Sequence, residues 1–424
     1  MNLTEERREL GRRNFIKAVA ATPVAGALIW KATSMRPVRA GIIGIGGQGG
    51  VLLENAPPSH IRISAVCDIF PANREGALKI AQERHDPDAK AYEDYRELLE
   101  RRDLEAVIIA TPLWQHAPMT IAALNAGKHV FCEKNMAKGI DECRQMLEAA
   151  RSAGRNLQIG HQRTYNPLYH EAKELIDSGT IGDIYHVRTL WHRNGDWRRQ
   201  VPESDFDPSP WGYPAMEQLR NWRLYSKYSL GLMAELASHQ LQVVSWFFER
   251  NPERVFGTGG IFRYQDGREV PDHVYLMYEY PGNLTVTFSS IQSNAWDHYY
   301  EAFFGTKGTI IMSSEREALL FYEGGVEPTE LKVEGVKGDA PVMQASESRA
   351  RDAAGQAVSG SASGFNALTA YRLELEGFAQ TIRSGRPNLC DATVGMDAAV
   401  ATIMGYDAVD EKTRQDIRSD LYPS

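Results

Sequence analysis

Residues 44–49, Gly44-Ile45-Gly46-Gly47-Gln48-Gly49, follow an apolar run at 39–43 and lead into a helix-forming run at 51–55. The order fits G-x-G-x-x-G. Each glycine then has a physical reason: a tight strand-to-helix turn at Gly44, no side chain at Gly46 where a pyrophosphate approaches, and close helix-strand packing at Gly49. Phosphate would rest on the helix N-terminus, where free N–H groups and the dipole favour an anion. The next apolar run ends at Asp68, 24 residues after Gly44. A carboxylate there accepts hydrogen bonds from both ribose hydroxyls and repels a 2′-phosphate. Ile69 and Phe70 follow it rather than an arginine, so NAD is favoured over NADP. The other readings are a plain flexible loop for the glycines and an N-cap for Asp68, before a helix starting at Pro71. The four cysteines, Cys67, Cys132, Cys143 and Cys390, lack C-x-x-C spacing, so no metal site is read from them. Cys67 and Cys132 sit in apolar runs, where a free thiol behaves as a small hydrophobe.

The glycine turn needs strands and helices to hold it. Between residues 39 and 158 the apolar runs RAGIIG, IRISAVCD, EAVIIAT, HVFCEK and NLQIG alternate with helix-period stretches. That alternation implies right-handed βαβ units and a buried parallel sheet. Gly127 ends one helix in the left-handed conformation before HVFCEK begins. After Pro167 come a helix at 168–178, a β-type run at 184–192 and a Trp-rich irregular stretch at 196–221. The runs ERVFGTGGIFRY, HVYLMYEY, LTVTFSS, HYYEAFFG and GTIIMS follow, with Pro281-Gly282-Asn283 as a turn, as in a mostly antiparallel sheet. Residues 344–364 read as a flexible loop and 371–383 and 393–409 as closing helices, with no repeat at solenoid periods. The expected fold class is α/β: an N-terminal Rossmann doubly wound parallel sheet plus a C-terminal α+β domain with a large, mostly antiparallel open sheet. The expected segments are 37–160, 161–343, a loop at 344–364, and helices at 365–424 that complete the fold.

A chain of 424 residues exceeds one hydrophobic core, in keeping with two domains. Its formal charge of -8 argues against a nucleic-acid partner, which needs clustered Lys and Arg. Residues 11–17, GRRNFIK, put Arg12 and Arg13 ahead of an apolar stretch at 18–30 that is short for a membrane span. Residues 1–35 therefore resemble a twin-arginine export signal with its spacer, whose translocase carries folded proteins; an amphipathic helix is the other reading. A protein that must capture a dinucleotide in the cytoplasm has a reason to travel folded. The expected location is the periplasm, or the outer side of the cytoplasmic membrane if the segment stays attached, since no clean Ala-x-Ala site follows it.

Three further motifs fall at successive strand ends: TPLWQH at 111–116, AGKHVFCEKNMAK at 126–138 and GHQRTYNP at 160–167. With the glycine turn, they make residues 39–422 resemble the Gfo/Idh/MocA (glucose-fructose oxidoreductase / inositol dehydrogenase) family, most closely through Pro167. The resemblance implies that Lys134 reaches the nicotinamide and the reacting hydroxyl, with Glu133 near the nicotinamide ribose and Thr111 and His116 on the nicotinamide side. The chemistry fits: hydride leaving a carbinol carbon requires its O–H proton to be taken, and a lysine of lowered pKa exchanges that proton. Asn135 stands where the family has Pro, and Leu113 where it has Asn. The family's helical Asp-x-x-x-His becomes Glu235 and His239, four residues apart on one helical face. Glu235 is then expected to hold the imidazole or contact substrate while His239 relays a proton, a helix-surface ion pair being the alternative. Arg163 and Tyr165 follow a strand end beside the expected cleft, as substrate contacts or as interdomain packing. Trp222 and Arg223, with His192, Trp197 and Trp211, offer ring faces for a sugar or belong to the core. His298 has no assigned partner.

These readings point to an exported NAD-dependent oxidoreductase acting on a secondary alcohol of a sugar, sugar derivative or polyol. Lys134 and His239 do the proton work. An NAD-dependent glycoside hydrolase using transient oxidation and elimination is the second reading. A non-catalytic exported sugar-binding protein is the third, since a fold does not fix a function. The resemblance also implies assembly through the open sheet face as a dimer or tetramer.

Overall fold

Strands apolar on both faces must be covered on both sides, and the first half of the chain builds such a sheet. In the computed structural model, residues 3–21, 36–323 and 367–423 are described. Strands β1 (Val38–Ile43), β2 (Ile61–Cys67), β3 (Lys90–Tyr92), β4 (Ala106–Ile109), β5 (His129–Glu133) and β6 (Leu157–Gly160) pair in parallel, in the order β3-β2-β1-β4-β5-β6. An N-terminal helix α1 (Glu5–Ala21) precedes them, and α2 (Gly47–Asn55), α3 (Pro71–Arg84), α4 (Tyr95–Leu99), α5 (His116–Asn125) and α6 (Ile140–Ala153) alternate with them. Strand order reverses at β1. The crevice at the carboxyl ends of β1 and β4 is where this topology leaves room for a ligand. Strand β3 was not foreseen: Lys-Ala-Tyr is too short and too exposed to carry an apolar signal.

The second sheet runs β13-β12-β11-β7-β10-β9-β8-β14. Its strands are β7 (Ile184–His192), β8 (Arg254–Gly260), β9 (His273–Tyr280), β10 (Leu284–Ile291), β11 (Tyr299–Gly305), β12 (Gly308–Ser313), β13 (Glu317–Tyr322) and β14 (Gln415–Asp416). Every pair is antiparallel except β7 with β10. In β10 residues alternate in and out, with Leu284, Val286 and Phe288 buried. Helices α7 (Pro167–Asp177), α8 (Met216–Arg220) and α9 (Ser238–Phe248) belong to this half, and Phe247 of α9 stacks on Phe303 of β11 at 5.1 Å. The run expected to reach 264 stops as a strand at Gly260. There Asp272 accepts the backbone N–H of Phe262 (3.0 Å), Arg263 (2.7 Å) and Tyr264 (3.0 Å), which turns the chain.

The last two helices return to the first domain. From α10 (Ala367–Ser384), Leu375, Phe378 and Ala379 enter the core beneath β1 and β2. Helix α11 (Ala392–Asp410) is apolar nearly all round, as a helix between two sheets must be. A Cβ on Gly395 would lie 2.3 Å from Ile159 of β6, and one on Gly405 would lie 2.0 Å from the Tyr278 hydroxyl of β9. The loop expected at 344–364 lies outside the described residues, as does 22–30 of the apolar stretch after the twin arginine. Helix α1 itself packs along the edge strand β13. Arg12 pairs with Glu317 at 2.5 Å, and Phe15 is buried. Among the described residues no helix is long and apolar enough to cross a membrane.

Arg163 and Tyr165 turn inward after β6 and are packing residues rather than substrate contacts. Arg163, 1% exposed, donates to Glu315 at 2.9 Å and pairs with Glu301 of β11, which also accepts the Tyr169 hydroxyl at 2.9 Å. Tyr165 is buried with its hydroxyl on Asn388 at 3.3 Å. Removing Arg163 leaves Glu301 as a buried carboxylate without its cation. Arg163→Ala should therefore lower stability by about 3–5 kcal/mol, read from the urea midpoint; an unshifted midpoint would show that the buried pair does not hold this seam.

Candidate functional site

A cleft of about 950 Å³ opens at the switch point, walled by both domains. On the first-domain side Gly44 has φ +83°, and a Cβ there would lie 2.7 Å from Thr111 and 2.9 Å from the Ala110 carbonyl. A Cβ on Gly49 would stand 1.9 Å from the Gly44 oxygen, whereas one on Gly46 would meet nothing within 4 Å. The turn is thus tight behind and open in front of α2, which is the shape a pyrophosphate needs. Asp68 braces the turn: its carboxylate accepts the Ile45 N–H at 2.7 Å and the Phe70 N–H at 2.8 Å. Burial pushes its pKa up against those donors. Oδ2 also accepts from Asn73 Nδ2 at 3.3 Å, so Oδ1 is the oxygen that keeps a lone pair for a ribose hydroxyl.

The other wall begins where β5 ends. Glu133, 5% exposed, accepts from Gln48 at 2.8 Å, which ties the E-K loop to the glycine turn. Burial, opposed by Lys134 and Gln48, raises its pKa to about 7. The Lys134–Asn135 peptide is cis. Asn135 is buried; its Nδ2 donates to the Ala137 carbonyl at 2.8 Å, and its own carbonyl meets His116 Nδ1 at 2.8 Å. The other ring nitrogen of His116 meets the Thr111 carbonyl at 3.0 Å. His116 and Thr111 therefore line the cleft and act as a strut between the ends of β4 and β5. Leu113, in place of the family's Asn, is buried.

The residues facing Lys134 come from a segment expected to be plain α-helix. Instead Met233–Ala237 forms a wider π-helical turn before α9, a local form that often marks functional sites. The carbonyls of Ala234 and Glu235 each accept from Lys134 Nζ at 3.1 Å. Burial lowers the Lys134 pKa, Glu235 and Glu133 opposing. Glu235 does not hold His239; its carboxylate accepts from Arg223 Nε at 2.6 Å. Burial would raise the Glu235 pKa, but Arg223 and Lys134 outweigh it and bring it to about 2. His239 is buried against Trp191, ring centroids 5.6 Å apart, and its Nδ1 has no partner among the described residues. Burial first and the Lys134 charge next keep it neutral. The π turn thus brings Glu235 and His239 to the cleft by separate attachments.

Trp222 lines the cleft, with the Arg223 guanidinium 4.3 Å over its ring, so one face is already covered. Trp197 and Trp211 also line it. His192 does not reach it, being held by the Trp296 carbonyl and Ser289 at 2.9 Å each, and His298 serves β7 through its backbone. All four cysteines are buried free thiols, and burial pushes Cys132 up to about 12, far from a nucleophile's range. Trp191 and Gln48 were not singled out from sequence; Gln48 lies inside the glycine motif, where attention goes to its neighbours.

Residues 38–161 match the profile described as "Oxidoreductase family, NAD-binding Rossmann fold", and 169–311 match "GFO/IDH/MocA C-terminal domain". The inositol 2-dehydrogenase of Salmonella typhimurium (strain LT2) is 39% identical over 148 residues, 34% of this chain and 43% of that protein. A glycosyl hydrolase family 109 protein of Shewanella baltica (strain OS195) is 28% identical over 228 residues, 52% of this chain and 49% of that protein. The chain thus spans about half or less of the length of these curated relatives. The structure of levoglucosan dehydrogenase with NADH and levoglucosan superposes with a TM-score of 0.69 at 18% identity, covering 91% of this chain and all of that one, which shows a shared fold.

Glu133 and Glu235 carry opposite pH signatures. Glu133 keeps its proton in the folded chain up to about pH 7 where the unfolded chain loses it near 4.5. Its contribution to stability therefore declines as pH rises between those values. Glu235, lowered to about 2, contributes stability that is present above 4.5 and lost as pH falls toward 2. Melting temperatures of Glu133→Gln should fall less steeply than wild type between about pH 5 and 7; equal slopes would contradict the assignment.

Proposed function

Because this chain belongs to the Gfo/Idh/MocA oxidoreductase family, we propose that it reversibly oxidises a secondary alcohol of a sugar, sugar derivative or polyol with NAD. The observation that carries this reading is the seating of Lys134. As a neutral amine it has two hydrogens, and the two carbonyls at 3.1 Å take both, leaving its lone pair for a third partner. Burial favours that neutral form. A carbinol O–H in the cleft gives its proton to this lone pair, and the resulting ammonium then donates to the carbonyl oxygen that forms. Bound NAD supplies the carbon that takes up the hydride. Glu235, ionised at neutral pH beside Arg223, stabilises the ammonium as it forms. His239 is neutral and buried at the same wall, a second proton acceptor for a substrate hydroxyl.

Calorimetry with NAD, followed by absorbance of reduced nicotinamide across a panel of polyols and sugars, tests the proposal. Lys134→Ala should keep NAD affinity and lose about 10²–10⁴-fold in kcat; undiminished turnover in that variant would overturn the role. The match to a glycosyl hydrolase family 109 protein over 52% of the chain favours glycoside cleavage as the second reading. Product sugar released with no net reduced nicotinamide would select it. Binding of NAD and sugar with no turnover would select the non-catalytic reading.

The twin arginine at 12–13, followed by Phe15, Ile16 and Lys17, supports export by the twin-arginine translocase to the periplasm or to the outer side of the cytoplasmic membrane. A reporter fused after residue 35 should reach the periplasm, and Arg12→Lys with Arg13→Lys should hold it in the cytoplasm; export that ignores the double substitution would refute the assignment. Phe256 of β8 and Tyr275 of β9, exposed and diagonal to one another on one face of the second sheet, support assembly with further copies of this chain.

A further inference from the structure

The stretch 193–221 borders the cleft, and one arginine in it is held by its backbone but not by its head group. Arg199 donates its N–H to Asn221 Oδ1 at 2.6 Å, and its carbonyl accepts from Asn221 Nδ2 at 3.0 Å. Asn221 is 3% exposed, so this is a fixed attachment. The adjacent Arg198 is occupied by Asp266 at 3.1 Å and by Glu217. The Arg199 guanidinium makes no ion pair and no hydrogen bond among the described residues. It points across the cleft at the glycine turn, with Nη2 3.4 Å and Nη1 3.7 Å from where a Cβ would stand on Gly47.

That position is electrostatically unfavourable for a lone cation. Gly47 opens α2, whose free N–H groups form the positive end of the helix dipole and receive no side-chain cap from Gly46. Desolvation by the cleft walls, then the like charges of Arg223 and Arg220, lower the Arg199 pKa, Glu235 opposing. A guanidinium held against such a surface becomes favourable once an anion contacts both. The open space in front of Gly46 is where that anion fits.

We propose that Arg199 is a further dinucleotide-binding residue, contributed by the second domain, whose guanidinium closes over the pyrophosphate at the first turn of α2. The proposal rests on the reading that the chain binds NAD. Two adjacent phosphates suit the planar fork of an arginine, which can donate to both oxygens of one or bridge the pair. The pyrophosphate would then be shared by N–H donors of one domain and a cation of the other, and its release would require Arg199 to withdraw.

Calorimetry on the full chain with NAD, ADP-ribose and adenosine tests this. Wild type that takes up no NAD would sink the functional reading itself. Given binding by wild type, Arg199→Ala should weaken NAD and ADP-ribose by about ten- to a hundredfold and leave adenosine, which has no phosphate, unchanged. The salt dependence of NAD affinity should become shallower, and Arg199→Lys should recover part of the loss. Unaltered NAD and ADP-ribose affinity in Arg199→Ala, or an equal loss for adenosine, would overturn the proposal while leaving NAD binding by the chain intact.

Discussion

Two backbone oxygens, those of Ala234 and Glu235, hold Lys134 Nζ at 3.1 Å each, and this contact joins the end of β5 to the second domain. Both oxygens lie in the π turn at Met233–Ala237, and that of Ala234 also accepts the Ser238 hydroxyl at 2.7 Å. The contact also depends on the loop after β5, which Asn135 and His116 anchor to the end of β4. The two carbonyls fix the orientation of the lysine, while Glu235 and Glu133 oppose the lowering of its pKa by burial. The helices of the second domain, and the strands that carry them, set where those carbonyls lie.

The cleft also separates two carboxylates that begin alike. Glu133 and Glu235 are both desolvated, and both see Lys134. Their neighbours differ: Glu133 meets the neutral amide of Gln48, and Glu235 meets the Arg223 guanidinium at 2.6 Å. One consequently titrates near 7 and the other near 2. Environments that push paired groups apart in this way let one site hold a proton and a negative charge at the same pH. Burial moves Lys134 and His239 toward their neutral forms, with Glu235 and Glu133 opposing it at Lys134.

Much of this was legible in the sequence because it rests on local rules. The glycine turn, Asp68 and the five longer parallel strands follow from period, spacing and steric necessity, and the antiparallel strands β9 to β12 from alternation. Strands β3 and β14 escaped because a short edge strand needs little apolar surface; β13, EALLFY, carries an apolar run and was missed despite it. The π turn escaped because a one-residue widening leaves the sequence pattern of an α-helix almost unchanged. Arg163 read as a ligand-binding cation since its partners, Glu301 and Glu315, are more than a hundred residues away and only the fold brings them together. Arg199 gave no signal for the complementary reason: what matters is the partner it lacks.

Helix α11 touches β6 through Gly395 and β9 through Gly405, each at a spacing that leaves no room for a side chain. Swinging the two sheets apart would pull this helix out of at least one close-packed seat and open a void, which protein interiors resist. One helix thus seats against both sheets at once, and its packing couples the two halves. The Trp- and Arg-bearing stretch at 193–221, which that helix does not hold, forms the remaining wall of the cleft, so the shape of the cleft is divided between a fixed seam and a surface segment.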